Sequence, residues 1–226
     1  AINTKLGAAL KGGLFPYVRS IIVCTEDAIA AVDLPRALEH LREVLTALPP
    51  RPVGPLRFIR PRNANVLEQI LAMHGIDRIH GFVLPKADTS SLPAYEKLLV
   101  NHDFWVMPTL ETPDILDIVG QRELRIYLQR SSLNRNILAL RIGGNDLLRI
   151  LALKRARGIT LYETAIGLLI QQLVLSFRPY GFHLTAPVYD FIDDPETLVR
   201  EARADVAMGL IGKTAIHPTQ VPVIEQ

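Results

Sequence analysis

Cysteine is almost absent from this sequence, and its scarcity limits both the chemistry and the compartment of the chain. Cys24 is the single cysteine among 226 residues, so no disulfide can form within the chain. A chain without disulfides is typical of a reducing compartment, and we expect a cytoplasmic protein. No apolar run is long enough to span a bilayer, and the first residues lack a signal-peptide pattern, so no membrane partner is expected.

Two further absences exclude common classes of partner. The 25 Lys and Arg residues nearly balance the 23 Asp and Glu residues, and the bases form no run of the kind that binds nucleic acid. We therefore expect no nucleic-acid partner. No G-x-G-x-x-G segment follows an apolar run, and no P-loop is present, which disfavours a dinucleotide-binding domain.

The sequence does contain a regular alternation of short apolar runs with longer amphipathic stretches. The runs are rich in β-branched residues, are apolar on both faces and are not joined by hairpin turns, which is typical of buried parallel strands. They cover residues 18–24, 56–60, 79–84, 104–109, 137–142, 182–186 and 206–211.

This alternation predicts an α/β protein, either a doubly wound sheet or a barrel. We favour a (β/α)8 TIM barrel, formed by residues 1–226 as a single domain. The first residues resemble the middle of a helix rather than a natural start, and we expect a segment to be missing before them. The first strand is therefore predicted to be missing or degenerate at the N-terminus.

Polar residues and glycines follow nearly every run, at the strand ends where a barrel enzyme carries its active site. In chain order they are Glu26, Asp27, Arg60, Arg62, Asn63, Lys86, Glu111, Gly143, Gly144, Asn145, Asp146, Tyr189, Asp190, Lys213 and His217. Any one of them is most often a solvated loop residue or a helix cap, and Asp146 could simply cap the helix that follows it. Their recurrence favours a functional site at one mouth of the barrel.

The chemistry of these side chains favours a hard cation. The acids have no cysteine or histidine ligand nearby, and magnesium typically takes one or two carboxylates and leaves positions for water and substrate oxygens. Such a metal can chelate a 2-oxo acid and stabilise an enolate. Arg60 could bind a substrate carboxylate bidentately, and the N–H groups of Gly143 and Gly144 could approach the same carboxylate closely.

Several segments resemble the HpcH/HpaI aldolase/citrate lyase family, in its citrate lyase β-subunit-like branch. The strongest is the final G-x-x-G-K-x-x-I-H-P-x-Q pattern, which begins at Gly209 and includes Lys213 and His217. Shorter matches are IIVCTEDAI, FIRPRN, GFVLPK, LET and RIGGNDL. Within the family, the chain is most similar to the TIM-barrel C–C bond lyase group found with bacterial stress-response and tellurite-resistance genes.

The resemblance implies a role for each candidate residue. Glu111 and Asp146 would bind Mg²⁺, with Mn²⁺ as the alternative. Arg60 would bind the substrate carboxylate and take part in catalysis, and Glu26 and Asp27 would be the acid–base residues. The substrate-binding set would also include Lys86, Gly143, Gly144 and Asn145.

The expected function is that of a Mg²⁺-dependent carbon–carbon lyase. It would cleave or form a small hydroxy or oxo acid, or its CoA thioester, through a metal-stabilised enolate. Members of the family are often trimers or hexamers, so a homo-oligomer is expected. Two alternatives are left open: a catalytically impaired barrel that binds a ligand as a component of a bacterial stress-response system, and, more weakly, a phosphate-handling barrel.

Overall fold

The computed structural model describes residues 5–15, 17–51 and 53–226. The chain falls into two compact units: unit 1 is Ala1–Pro85 with Leu92–Met107, and unit 2 is Lys86–Ser91 with Pro108–Gln226. That the chain acts as a single domain stays a prediction.

Strands and helices alternate along the described residues. The strands are β1 Ser20–Cys24, β2 Leu56–Arg60, β3 Gly81–Leu84, β4 Trp105–Leu110, β5 Leu140–Ile142 and β6 Leu184–Thr185. The helices are α1 Leu6–Leu10, α2 Leu34–Thr46, α3 Ala64–Leu71, α4 Leu92–Leu99, α5 Ile118–Arg130, α6 Gly144–Ile150, α7 Ala165–Phe177, α8 Pro195–Ala207 and α9 Val221–Ile224. Within this part of the chain, no helix combines the length and the apolar character needed to cross a membrane.

In unit 1 the strands are parallel and follow one another in chain order. β1 pairs with β2 so that Cys24 lies opposite Arg60, and β2 pairs with β3. The start of β4 lies beside β3, where the Trp105 N–H donates to the His80 carbonyl at 3.0 Å. Parallel strands end at the same edge of a sheet, so the residues after β1 and β2 are neighbours.

Helix α2 has a buried apolar face. Leu38, Leu41 and Leu45 recur at intervals of three and four, which places them on one face of the helix, and all three are buried. Helix α3 begins at a clear signal as well, because the Asn63 side chain accepts a hydrogen bond from the Val66 N–H at 3.0 Å.

In unit 2 the end of β4 pairs with β5, and β5 pairs with β6, again in parallel. Thr109 lies opposite Arg141, and Leu140 lies opposite Leu184. The long apolar helix α7 is capped at its start by Thr164, whose side chain accepts a hydrogen bond from the Ile166 N–H. The residues after β4 and β5 therefore meet at one edge, as those after β1 and β2 do in unit 1.

The first six predicted runs each overlap an observed strand, and all the pairings described above are parallel, so the predicted α/β class is confirmed. No strand precedes β1 within residues 5–15 and 17–19, which agrees with a missing or degenerate first strand. Residues 1–4, on which part of that prediction falls, lie outside the described residues.

The seventh predicted strand, residues 206–211, is wrong. Val206 belongs to α8, and Gly209 follows with the left-handed φ of 75° that commonly ends a helix. The chain then runs beside β6, where the Ile211 N–H donates to the Leu184 carbonyl and Lys213 bridges to Ala186. A short apolar run fits the end of a buried helix as well as a strand, so its hydrophobic pattern did not distinguish them.

A buried arginine joins three separate segments of unit 1. Arg57 in β2 is 1% exposed, and its guanidinium donates to the carbonyls of Leu10 at 2.9 Å, Pro49 at 2.8 Å and Arg78 at 3.0 Å, and also to that of Val53. These carbonyls belong to α1, to the loop before β2 and to the turn before β3. Burial lowers the pKa of Arg57 below its usual value.

We expect Arg57→Met to lower the free energy of unfolding by about 3 kcal/mol or more, because it leaves buried carbonyls without donors and removes several charge-assisted hydrogen bonds. Urea unfolding followed by circular dichroism measures the change. Arg36→Met, on the exposed side of α2, is the control and should stay within about 0.5 kcal/mol of the original chain. Equal stability of the two variants would contradict the role given to Arg57.

Asp194 holds the start of α8 through both of its carboxylate oxygens. Oδ1 accepts from the Thr197 N–H at 3.2 Å, and Oδ2 accepts from the Tyr189 hydroxyl at 2.6 Å and from the Gly158 N–H at 3.2 Å. Hydrogen bonds to the charged form, chiefly that from the Tyr189 hydroxyl, hold the pKa of Asp194 at about 2, below its ordinary value of 3.8.

A carboxylate whose pKa is depressed in the folded state stabilises the fold above its unfolded pKa, and this stabilisation disappears as the pH falls through the folded pKa. Asp194→Asn should therefore be less stable than the original chain at pH 7, and the difference should shrink below pH 3.8 and disappear as the pH falls through about 2. Thermal unfolding across this range tests it, and a difference that does not change with pH would refute the assignment.

Candidate functional site

Unit 1 brings the predicted residues Glu26, Asp27 and Arg60 together at the ends of β1 and β2. Arg60 is the last residue of β2, and its carbonyl accepts hydrogen bonds from the Thr25 N–H at 2.9 Å and from the Thr25 hydroxyl at 3.0 Å. The loop that carries the two acids is thereby attached to the end of β2.

The Arg60 guanidinium forms ion pairs with both acids. Its Nη2 contacts the Glu26 carboxylate and lies 3.7 Å from Asp27 Oδ2. The Glu26 side chain is 4% exposed and that of Asp27 is 66% exposed. Because charges interact more strongly away from solvent, Glu26 is the more firmly held of the two, and a substrate carboxylate would share Arg60 with it.

Arg62 supports the same loop, although no catalytic or binding role was predicted for it. Its guanidinium donates to the carbonyls of Thr25 at 3.4 Å, Glu26 at 3.1 Å and Ile29. The sole signal in the sequence is its position two residues after Arg60, at a strand end. Arg62 fixes the backbone from which Glu26 and Asp27 project.

Unit 2 contains the other predicted residues, and its central side chain is Glu111. This residue follows β4 directly and is 3% exposed. Its Oε1 accepts a hydrogen bond from the Lys86 N–H at 2.9 Å. A Cβ added to Gly143 would lie 2.5 Å from the Glu111 Cβ and would also collide with Oε2. The carboxylate therefore occupies space that any side chain at position 143 would fill.

Lys86 donates this hydrogen bond from an uncommon backbone conformation. Its φ is 47°, in the left-handed region that residues with a side chain rarely adopt. Hydrogen bonds hold the chain on both sides: the Ala87 N–H donates to the Thr109 carbonyl at 3.0 Å, and the Ser91 hydroxyl donates to the Lys86 carbonyl at 3.0 Å. Backbone strain of this kind clusters at functional sites.

The two glycines after β5 serve close packing. The Gly143 N–H donates to the Leu110 carbonyl at 3.1 Å and so continues the pairing of β4 with β5. Gly144 is buried, and a Cβ there would lie 2.7 Å from the Pro187 side chain. The sequence predicted that a substrate carboxylate could approach these glycines closely. In the structure the atoms that lie close to Gly143 belong to the Glu111 side chain.

Asn145 and Asp146 lie in the first turn of α6. The Asn145 amide donates to Asp190 Oδ1 at 2.9 Å. The Asp146 side chain is 13% exposed and forms an ion pair with Arg149, one turn further along the helix. The N-cap residue of α6 is Gly143, so the alternative in which Asp146 caps this helix is wrong.

The donor chemistry of Glu111 and Asp146 fits a hard cation. Both side chains are carboxylates, and they follow the paired strands β4 and β5. Among the residues that the structure describes, no group of three or more His, Cys, Asp or Glu side chains could hold a metal ion. A cation bound by two carboxylates completes its coordination with water or substrate, as magnesium commonly does.

The most specific motif of the sequence forms a buried ionic cluster. Lys213 Nζ lies 2.8 Å from Glu201 Oε1 and 3.0 Å from Asp205 Oδ2. Arg155 contacts the other oxygen of Glu201, and the Tyr162 hydroxyl donates to Asp205 at 2.6 Å. Burial raises the pKa of Asp205. Lys213 thus attaches the final segment to α8 and is not open to a substrate.

His217, in the same motif, shapes a turn. It precedes the turn Pro218–Gln220, and its Nδ1 lies 2.9 Å from the Thr219 hydroxyl. The Gln220 side chain accepts from the Ile216 N–H at 2.9 Å and donates to the Tyr189 carbonyl at 2.9 Å. These contacts give the end of the motif a structural role.

With the fold and the strand-end acids described, the chain can be assigned to a family. Residues 1–226 match the family described as C–C bond lyases of the TIM-barrel fold, and the chain belongs to this family. The match confirms the resemblance and the barrel class that the sequence predicted.

Curated relatives match a short part of the chain. The mitochondrial citramalyl-CoA lyases of Rattus norvegicus and Mus musculus are each 34% identical to it over 56 residues, which is 25% of this chain and 17% of each relative. The matched stretch thus spans about a sixth of the length of these relatives.

Solved structures support the barrel over most of the chain. CitE from Mycobacterium tuberculosis, in complex with magnesium, acetoacetate and coenzyme A, has a TM-score of 0.70 at 21% identity, over 92% of this chain and 72% of that one. A malate synthase from Haloferax volcanii, solved as a lead(II) complex, has a TM-score of 0.75 at 16% identity, over 92% of this chain and 64% of that one. At these identities the likeness concerns the fold.

We expect Gly143→Ala to displace the Glu111 carboxylate and to lower the free energy of unfolding by roughly 1–3 kcal/mol, because the added Cβ collides with this side chain. The φ of −87° at this position suits alanine, so the collision accounts for the effect. The control is Gly212→Ala, whose Cβ would meet no atom within 4 Å although it lies in the terminal motif. Urea unfolding of both variants is the measurement, and equal stabilities would contradict the close contact.

Proposed function

We propose that this chain is a Mg²⁺-dependent carbon–carbon lyase in which Glu111 and Asp146 hold the cation, with Mn²⁺ as the alternative ion. The observation that carries the proposal is the fixed position of the Glu111 carboxylate, buried between the Lys86 N–H and Gly143. A preorganised carboxylate of this kind suits a metal ligand, since its position does not have to be ordered when the ion binds.

The proposed substrate is a small oxo or hydroxy acid, free or as its CoA thioester. Support comes from the family and from what its relatives bind. The citrate lyase β subunit of Mycobacterium tuberculosis has been solved with oxaloacetate and magnesium, and CitE from the same organism with pyruvate or acetoacetate. The 56-residue match to citramalyl-CoA lyases supports an acid of the same class.

In this proposal each charged residue has a task. When bound, a divalent cation supplies Lewis-acid stabilisation of the negative charge that develops on a substrate oxygen. Arg60 binds a substrate carboxylate, and Glu26 orients Arg60 through their ion pair. Asp27, which is the exposed member of the pair of acids, transfers the proton, and Glu26 is the second candidate for that step. The surface on which the substrate lies beside Glu111 and Asp146 is formed by Lys86, Gly143, Gly144 and Asn145.

The cellular setting is proposed from the sequence. The single cysteine suits a cytoplasmic protein, and the family resemblance suits a homo-oligomer, either a trimer or a hexamer.

We expect Glu111→Gln and Asp146→Asn each to weaken Mg²⁺ binding at least tenfold, because each variant removes one of two charged oxygen ligands. Isothermal titration with MgCl₂, alone and with oxaloacetate, is the measurement. Glu39→Gln, an exposed acid on α2, is the control and should bind as the original chain does. No binding of Mg²⁺ or Mn²⁺ by the original chain, with or without oxaloacetate, would rule the proposal out.

A ligand-binding barrel without turnover is the second candidate function, and the Arg60–Glu26 ion pair favours it, because this pair engages one of the predicted acid–base residues. Turnover of a panel of oxo and hydroxy acids and their CoA thioesters by the original chain, Glu26→Gln and Asp27→Asn separates the two. Activity that is lost in Asp27→Asn supports the lyase. Binding of ligand with no turnover by any of the three proteins supports the binding barrel.

A further inference from the structure

Helix α6, which carries Asp146 in its first turn, is too short to hold its own orientation. It has seven residues, Gly144–Ile150, and an isolated helix of this length is not stable in water. Its last turn is fixed by a backbone motif: Ala152 has a left-handed φ of 53°, and the Leu153 N–H donates to the Leu148 carbonyl at 2.8 Å. Contacts with other segments of unit 2 therefore orient the first turn.

One such contact joins the first turn of α6 to the loop after β6. The Asn145 amide donates to Asp190 Oδ1 at 2.9 Å, and Asp190 Oδ2 lies 3.5 Å from Nη1 of Arg155. A single carboxylate thus connects the start of α6 with the segment that follows this helix. The Arg155 side chain is 5% exposed, whereas that of Asp190 is 30% exposed. Because Arg155 is the more deeply buried, it is the fixed end of this chain of three residues.

Arg155 is itself held from several directions. Its Nη2 contacts the Glu201 carboxylate, and its Nη1 donates to the Val188 carbonyl at 2.7 Å. The guanidinium also lies over the Tyr189 ring, 4.5 Å from its centroid. The other oxygen of Glu201 lies 2.8 Å from Lys213 Nζ. A guanidinium presents its donors in a rigid planar fork, so these partners together define one position for Arg155.

We propose that Arg155 is a positioning residue for the metal site. Through Asp190 it fixes Asn145, and thereby the first turn of α6. The next residue of that turn, Asp146, then presents its carboxylate in one direction. The inference rests on the proposed function, since it takes Asp146 as a ligand of Mg²⁺. It gives the buried ionic cluster, which fixes Arg155, a part in the site that requires no contact with substrate.

The charge of Arg155 and its positioning role predict opposite effects on cation binding. A positive charge repels a metal ion, so the removal of this charge alone would tighten Mg²⁺ binding. Loss of the contacts that orient Asp146 would weaken binding instead, because the ligand then has to be ordered when the ion binds. The direction of the change in affinity therefore distinguishes a positioning residue from a charge that acts at a distance.

The first experiment titrates MgCl₂ alone into Arg155→Gln and measures binding by calorimetry. The variant should bind Mg²⁺ about tenfold more weakly, as is typical when a partner that orients a metal ligand is removed. The matched control is Tyr162→Phe, which removes the hydrogen bond to Asp205 in the same buried ionic cluster and leaves the Arg155 side chain in place. It should bind Mg²⁺ as the original chain does. Unchanged or tighter binding by Arg155→Gln, or an equal loss in Tyr162→Phe, would overturn the proposal.

A charge-preserving variant gives a further readout. Arg155→Lys keeps the positive charge but loses the planar fork that reaches Glu201 and Asp190 together. Its Mg²⁺ affinity should lie between those of Arg155→Gln and the original chain. An affinity equal to that of Arg155→Gln would contradict the part given to the ion pairs.

The second experiment tests the same contacts from the Asp190 side, where the substitution is less buried and Arg155 is retained. Asp190→Asn keeps an oxygen for the Asn145 amide but loses the ion pair with Arg155, and it should weaken Mg²⁺ binding about 3- to 10-fold. Asp193→Asn is the matched control, because it makes the same change of charge in the same loop at a residue that is 74% exposed and pairs with Arg157. Equal losses in the two variants would show an effect of charge alone and would overturn the proposal.

The outcomes separate this inference from the function on which it rests. If the original chain binds Mg²⁺ and Glu111→Gln does not, while Arg155→Gln and Asp190→Asn bind as the original chain does, the proposed function stands and the inference fails. If the original chain binds no divalent cation, both fail. Each variant is titrated well below its own midpoint of thermal unfolding, so that the affinity measured is that of the folded protein.

Discussion

The contact between Glu111 and Gly143 is the constraint on which the candidate metal site depends. Two parallel strands, β4 and β5, end side by side, and the carboxylate that follows the first occupies the space left by the absent side chain after the second. The Lys86 backbone then fixes one oxygen of this carboxylate from a strained conformation. A residue larger than glycine at 143 would remove the space, and an unstrained backbone at 86 would turn the donor away.

In both units, charged residues of the candidate site form ion pairs with each other or with a neighbour. Arg60 pairs with Glu26 in unit 1, and Asp146 pairs with Arg149 in unit 2. Such pairs keep charged side chains in position before a ligand arrives, and a ligand must compete with them. The Glu26 side chain is 4% exposed, which suits a permanent orienting role, whereas Arg149 is 72% exposed and its ion pair is more strongly screened by solvent.

The strongest sequence signal and the candidate site turned out to be different parts of the molecule. The terminal motif around Lys213 and His217 forms a buried ionic cluster and a turn, with Glu201 and Asp205 of α8 as its partners. A lysine buried in this way requires its counter-charges, since a charge without a partner is costly away from water. The specificity of the motif therefore reflects the demands of packing, and the shorter segments around Glu111 and Asp146 carry the proposed chemistry.

The sequence by itself determined the class of the fold, six of the strand positions and the strand ends at which the candidate residues lie. It could do so because the spacing of apolar residues, the length of each apolar run and the residues that flank it are local properties of the chain. It did not determine the seventh run, whose apolar pattern suits both a helix end and a strand. Tertiary structure alone decided that Gly143 is packed against Glu111, that Arg62 holds the loop of Glu26, and that Asp146 pairs with Arg149 instead of capping its helix. Most of these contacts join residues far apart in the chain, and all depend on the directions in which side chains leave the folded backbone, which no local pattern records.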